Sequence, residues 1–242
     1  MLNKMMITER QRVEDEYKKY SKTGNLYDLW SIFNPMPLYS HQKKEKMLLK
    51  LLKPYKNAIS SFKILDIGCG HGDLLHQLIM YGANLYNLYG FDIRFDTVKA
   101  GKTQYPFLNL INSNAQMLPF QDNTFDIVCL MTCLSSIPDQ STKRNIVKEV
   151  DRVLKKGGFI VYYDLKSPRY INNNLKGIPK SELLSLFPNY NITLYSTTLN
   201  CGLVKRIINI SWLVTEIIEK IKVFNTNYIG IFIKQATSIP KA

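Results

Sequence analysis

Several protein classes are excluded by what this sequence does not contain. No window holds about 18 consecutive apolar residues, so nothing reads as a membrane-spanning helix. Cysteine is scarce, with 4 in 242 residues. Cys69, Cys129, Cys133 and Cys201 form no Cys-x-x-Cys pair, which argues against a zinc ribbon or a disulfide scaffold, and no metal site is expected. The opening Met1-Leu2-Asn3-Lys4-Met5-Met6 turns polar too early for a secretory leader, so the expectation is a reduced, cytoplasmic protein. Repeats, low-complexity stretches and long Pro/Gly/Ser linkers are missing, and no break divides the chain cleanly.

Acidic residues are also few: 19 Asp and Glu stand against 32 Lys and Arg, a formal net charge of +13. The surplus is not uniform. Residues 61–165 hold 10 bases and 10 acids, so the basic excess lies wholly in the two flanks. A neutral centre suits a ligand that is not strongly anionic. The basic ends read either as an ordinary lysine-rich surface or as contacts for an anionic membrane or RNA.

What is present is a chain that changes period near residue 60. Residues 8–22 read as a helix capped by Thr8, and Tyr27–Tyr39 as an aromatic loop interrupted by Pro35 and Pro37. A second helix is expected over 40–53. From Lys63 onward short apolar strands alternate with helical runs. Strands are expected at 63–67, 87–92, 108–112, 125–131 and 159–164, with helices at 73–81, 94–104 and 139–154. Beyond them follow a helix at 180–187, a strand at 190–199, a long helix at 203–222 and a strand at 227–234. This pattern predicts an α/β fold, a doubly wound and mostly parallel seven-stranded sheet with an N-terminal helical extension. The expected division is a helical lid or extension over 1–60 and a ligand-binding domain over 61–242.

In such sheets ligands sit beyond the carboxyl ends of the strands. The first strand ends in Asp66-Ile67-Gly68-Cys69-Gly70-His71-Gly72-Asp73 and opens directly into a helix. Asp92, about 20 residues beyond Gly72, ends the next strand, where an acid accepts hydrogen bonds from ribose hydroxyls. A dinucleotide site would place its pyrophosphate on this helix, yet Asp66 and Asp73 set two carboxylates around the turn. They would repel a pyrophosphate. They suit a cationic nucleoside carrying an ammonium and a sulfonium, which describes S-adenosyl-L-methionine.

These residues resemble the class I S-adenosylmethionine-dependent methyltransferases, in the type 11-like, small-molecule branch of that family. Asp66–Gly72 is similar to the family's Asp/Glu-x-Gly-x-Gly-x-Gly signature, Asp92 to its ribose acid, and Ser113–Phe120 to its adenine segment. Phe125–Val128 and Leu154–Gly158 match the fourth strand and the turn before the fifth, so the resemblance covers residues 63–164. It implies a Rossmann-like methyltransferase fold, S-adenosyl-L-methionine as cofactor, and methyl transfer to a small-molecule O, N or C acceptor. A weaker resemblance of the N-terminal and C-terminal segments implies secondary-metabolite or polysaccharide biosynthesis. The cofactor contacts it implies are Asp66, Gly68, Cys69, Gly70, Gly72, Asp92, Ile93, Asn114, Ala115 and Met131. Asn114 stands where the family commonly has aspartate, and its amide oxygen is expected to accept from the adenine amino group. The family's frequent histidine past the fourth strand is absent from Cys133-Leu134-Ser135-Ser136-Ile137.

Asp164 and His41 are then the candidate general bases. Thr132, Ser135, Ser136 and Tyr163 are expected to line a substrate pocket at the strand ends, with Cys133 as a wall. Tyr17, Tyr20, Trp30 and Tyr39 are expected to join them as an aromatic lid. The 203–222 helix is apolar around most of its circumference and is expected to be buried against the sheet. The alternative is that one side lines a greasy pocket or meets a membrane, with Lys205, Arg206, Lys220 and Lys222 alongside. A base-amino methyltransferase would show an Asn/Asp-Pro-Pro-Tyr-like segment after the fourth strand, and Leu130-Met131-Thr132-Cys133 is not one. No separate nucleic-acid module is expected. Two other activities remain open: RNA or protein methylation through the basic flanks, and cofactor binding without methyl transfer.

Overall fold

The computed structural model describes residues 11–12, 31–166 and 176–235. Tyr17, Tyr20 and Trp30, named above as lid residues, lie outside them. Seven strands form one sheet: β1 (Ile64–Ile67), β2 (Leu88–Asp92), β3 (Asn109–Asn112), β4 (Phe125–Met131), β5 (Leu154–Leu165), β6 (Tyr190–Leu199) and β7 (Asn225–Lys234). Their order is β3-β2-β1-β4-β5-β7-β6. The sheet reverses direction of winding at β1, where β2 and β4 flank it, both parallel to it. That switch point opens a crevice at the carboxyl ends of β1 and β4.

Helices α1 (Pro35–Leu52), α2 (Asp73–Met80), α3 (Phe95–Gln104), α4 (Gln140–Val153) and α5 (Lys180–Leu186) precede two short helices, α6 (Cys201–Ile207) and α7 (Trp212–Glu219). All four residues of β1 are buried, as expected for a strand covered on both faces. Its neighbours bring Leu65, Ile67, Val128, Leu130, Ile160 and Tyr162 into one continuous core with Ile146 and Val150 of α4. Fully burying one such aliphatic side chain stabilises the fold by about 1.5–3 kcal/mol.

Two compact units are distinguished by their internal contacts. One comprises residues 11–12, 31–50 and 196–227; the other comprises 51–166, 176–195 and 228–235. The helical extension expected over 1–60 is therefore joined by a segment from the far end of the sequence. In the first unit, Met36 and Tyr39 of α1 pack with Leu199, Cys201, Val204 and Ile208.

Three local expectations are corrected. Pro35 and Pro37 begin α1 rather than interrupt a loop, because the first turn of a helix needs no N–H donor from those positions. The expected long helix over 203–222 is two. Asn200 caps α6 by accepting from the N–H groups of Gly202 and Leu203. Ser211 then turns extended, and its hydroxyl accepts from Val214 N–H to start α7. Nor is that segment buried throughout: Val204 and Ile208 are in a core cluster, but Ile210 is 82% exposed and Leu213 68%.

Candidate functional site

The glycine loop leaves β1 in a conformation that side chains resist. Gly72 has φ +93°, and a Cβ there would lie 2.9 Å from a Leu108 methyl. Gly68 has φ +77°, and its Cβ would press on Cys133 Sγ at 3.2 Å. Glycine at these two places lets the loop close onto the start of β3 and onto the turn after β4. The loop is also tied down from β2: Phe91 O accepts from both Gly68 N–H (2.7 Å) and Cys69 N–H (3.0 Å).

Asp92 is the second anchor. Its carboxylate accepts from Gly70 N–H at 2.9 Å and from Arg94 N–H at 2.8 Å. Asn112, opposite it on β3, donates to the carbonyls of Asp92 and Ile93 at 3.0 and 2.9 Å. The ribose-binding candidate is thus held from the loop, from α3 and from β3. Asn112 was not named from the sequence. Its signal is an amide ending a strand beside the acid, which becomes informative once the pairing register is known.

Asn114 sits two residues beyond. Its side-chain oxygen accepts from Gln116 N–H at 2.9 Å, closing an Asx turn, while its amide nitrogen is buried with no hydrogen-bond partner among the described residues. The expected acceptor role is corrected accordingly: the group turned outward from the turn is a donor, suited to a ring nitrogen acceptor. Ala115 packs half-buried on the core, and Phe120 lies 4.8 Å from Phe125 and 5.4 Å from Phe91, ring to ring. Arg152 clamps this segment: it pairs with both oxygens of Glu149 and donates to the carbonyls of Leu118 and Phe120. Glu149 in turn accepts from Leu118 N–H at 2.7 Å.

The turn after β4 is held by strain and by a buried acid. Thr132 is exposed and has φ +56°, an outlier for a β-branched residue. Its N–H donates to Tyr163 O at 2.6 Å, which fixes the kink to the end of β5. Ser136 Oγ donates to Thr132 O. Asp164 is completely buried, and its carboxylate accepts from Ser135 N–H (3.0 Å) and Leu165 N–H (2.8 Å). Burial raises its pKa, and the hydrogen bonds from Ser135 and Leu165 only partly offset that. A base must reach the substrate proton, and Asp164 is turned into the protein instead. Ser135, 1% exposed, also faces Asp164 rather than a pocket. Thr132 and Ser136, with the half-buried Met131, keep accessible surface at the strand end; Tyr163 contributes its carbonyl to the kink and has a buried ring.

The charge at this end of the sheet is negative. The Cys133 thiol is driven well above its ordinary pKa by burial and by the fields of Asp164, Asp92 and Asp66. Cys69 is raised in the same way by burial, Asp66 and Asp92. Both thiols stay protonated and are not nucleophiles. Three carboxylates converging on one uncharged sulfur make a site that favours a cation and disfavours a pyrophosphate.

Tyr39 and His41 belong to the other unit. Tyr39 is completely buried, and its hydroxyl donates to Glu219 at 3.0 Å. It is a core residue, which corrects its assignment to a substrate pocket. His41 is exposed on α1.

The family described as "Methyltransferase domain" matches residues 65–162. The chain is 30% identical over 172 residues to the demethylmenaquinone methyltransferase of Bacillus pumilus, covering 69% of this chain and 68% of that one. The chain belongs to the S-adenosylmethionine-dependent methyltransferase family. Its fold is similar to a SAM-dependent methyltransferase from Archaeoglobus fulgidus, with TM-score 0.59 and 18% identity over 81% of this chain and 98% of that one. A SAM-dependent methyltransferase from Methanosarcina mazei gives TM-score 0.53 and 22% identity over 71% and 92%. S-adenosyl-L-methionine is accordingly the methyltransferase's cofactor. The residues present fit it: a loop with glycine at 68, 70 and 72, an anchored acid, a buried donor at Asn114 with no partner among the described residues, and a negative field suited to a sulfonium.

Proposed function

We propose that this methyltransferase acts on a small, largely apolar ring acceptor of the hydroquinone type, transferring the methyl to carbon. The acceptor class comes from the name of its Bacillus relatives. That relationship carries the acceptor reading, and the anchored Asp92 beside the glycine loop supports the cofactor side of it. In this reading Asp92 holds the ribose, Asn114 donates to the adenine ring, and Gly68, Cys69, Gly70 and Gly72 offer backbone surface to the methionine part. Ile93, Ala115 and Met131 flank the nucleoside. When bound, the cofactor supplies a methyl group already activated on a sulfonium.

The chain's own task is then alignment. Thr132 and Ser136 border the place where the acceptor must approach to about 3 Å and in line, and holding it there provides most of the acceleration. Asp164 acts by fixing the 134–136 turn through Ser135 N–H, as a positioning residue. A hydroquinone carbon becomes nucleophilic when its hydroxyl loses a proton, and once the carbon has taken the methyl the ring proton leaves to solvent, which restores the aromatic ring. The test is a turnover assay with the cofactor and, separately, a reduced prenyl-naphthoquinol, a catechol, a primary amine and bulk RNA, reading S-adenosylhomocysteine and the methylated product. Methylation of the quinol carbon is expected. Turnover confined to the amine or to RNA would overturn the acceptor reading.

A further inference from the structure

Helix α7 turns much of its apolar surface outward. Its inward side is mixed: Thr215 is fully buried, with its hydroxyl donating to Ser211 O, Glu219 accepts from Tyr39, Thr197 and Thr198 N–H, Ile218 packs on the core cluster and Trp212 meets the Tyr39 ring edge-on at 5.6 Å. Its outward positions are apolar, with Leu213, Val214 and Ile217 all exposed. The exposed apolar run continues on either side, through Ile210 before the helix and Val223 after it. Scattered single hydrophobes on a surface need no explanation, but a contiguous apolar face on an amphipathic helix turned toward water does.

The charges around this face select its occupant. Lys205 and Arg206 end α6, Lys220 follows α7 and Lys222 lies in the next turn, all exposed. The two acids of the same segment are already matched: Lys43 Nζ pairs with Glu219 at 2.7 Å and with Glu216 at 3.3 Å. An apolar face bordered by cations, with its acids neutralised from within, fits a surface that is apolar beneath and anionic at its rim. Trp212, partly exposed at the start of α7, adds an amphipathic ring of the kind that settles at a headgroup boundary.

We infer that residues 205–224 form a peripheral docking surface for an anionic lipid bilayer, with α7 lying in the interface plane. No described helix is long and apolar enough to cross a membrane, so the contact is one of surface insertion. The inference rests on this segment alone and is independent of which acceptor is methylated.

The experiment is co-sedimentation of the full chain with vesicles of phosphatidylcholine containing about 30% phosphatidylglycerol, against pure phosphatidylcholine, at low salt and at about 0.5 M salt. The chain should pellet with the anionic vesicles at low salt and be largely released by salt. Leu213→Asn with Ile217→Asn should lower the partition at least about tenfold, by removing inserted apolar area. Lys220→Ala with Lys222→Ala should lower it on the order of thirtyfold. Thermal melting and cofactor titration of each variant should be unchanged, which separates lost docking from lost folding. Failure of the wild-type chain to bind anionic vesicles would overturn the inference, as would binding that survives the Leu213/Ile217 change. Light scattering that shows a dimer dissociated by that change, without vesicle binding, would assign the face to a second copy instead.

Discussion

Asp92 shows how much one carboxylate is asked to do at the level of single residues. It stabilises the glycine loop through Gly70 N–H and the start of α3 through Arg94 N–H, while keeping acceptor capacity for a ribose. Asp92→Ala should therefore weaken S-adenosylmethionine binding by about 1–3 kcal/mol, on the order of 10- to 100-fold in Kd by calorimetry. Equal affinity in the variant would remove Asp92 from the site. Asp139 gives a pH prediction. As N-cap of α4 it accepts from Thr142 N–H and Ser141 Oγ–H, which pulls its pKa down to about 2. A carboxylate depressed on folding contributes stability that is full above its unfolded pKa near 4 and is lost as pH falls toward 2. Asp139→Ala should cost about 1 kcal/mol at neutral pH and flatten the acid limb of the melting temperature between about pH 4 and 2. An unchanged acid limb would show that another group sets it.

Among the elements, α4 reaches the site through one charged clamp. Arg152 and Glu149 pin the 118–120 segment that follows Asn114, and the pair sits at the edge of the core rather than in it. Arg152→Ala leaves the Leu118 and Phe120 carbonyls without their donor and frees the segment. The expected result is a loss of about 1–3 kcal/mol in unfolding free energy, together with a several-fold higher Kd for the cofactor. If the protein loses stability but keeps its affinity, the clamp serves folding alone. Glu219 does similar work where α7 meets α1, joining Tyr39, Lys43, Thr197 and the Thr198 backbone. Burial and this carboxylate both push the Tyr39 hydroxyl above its ordinary pKa, so it donates at all physiological pH values. The outward apolar surface of α7 follows from that arrangement: Thr215 and Glu219 take inward places, and Leu213, Val214 and Ile217 are left outside.

For the whole molecule, ligand linkage gives the simplest test of the cofactor. A ligand bound only by the folded state stabilises it by RT ln(1 + [L]/Kd), about 2.7 kcal/mol at 100-fold excess over Kd. For a domain of this size that raises the melting temperature by roughly 5–10 °C. S-adenosylmethionine and S-adenosylhomocysteine should each do so, and NAD should not, because its pyrophosphate would meet Asp66 and Asp73. A shift with NAD alone would refute the electrostatic argument.

The sequence by itself determined the alternation of strands and helices, the glycine loop, the acid at the end of β2 and hence the cofactor. These are legible because each depends on residues close together in the chain: a period of two or 3.6, or a turn needing positive φ at Gly68 and Gly72. Tertiary structure decided what depends on residues distant in sequence. Asp164 changed from a candidate base to a buried support because the turn after β4 folds its N–H groups onto it, some 30 residues away. Tyr39 changed from a lid residue to a core residue because Glu219, at the other end of the chain, accepts its hydroxyl. The apolar 203–222 segment read as a buried helix because hydrophobicity reports only that a surface avoids water. Which face finds a partner is fixed by packing, and Ser211 and Glu219 turned the apolar face of α7 outward.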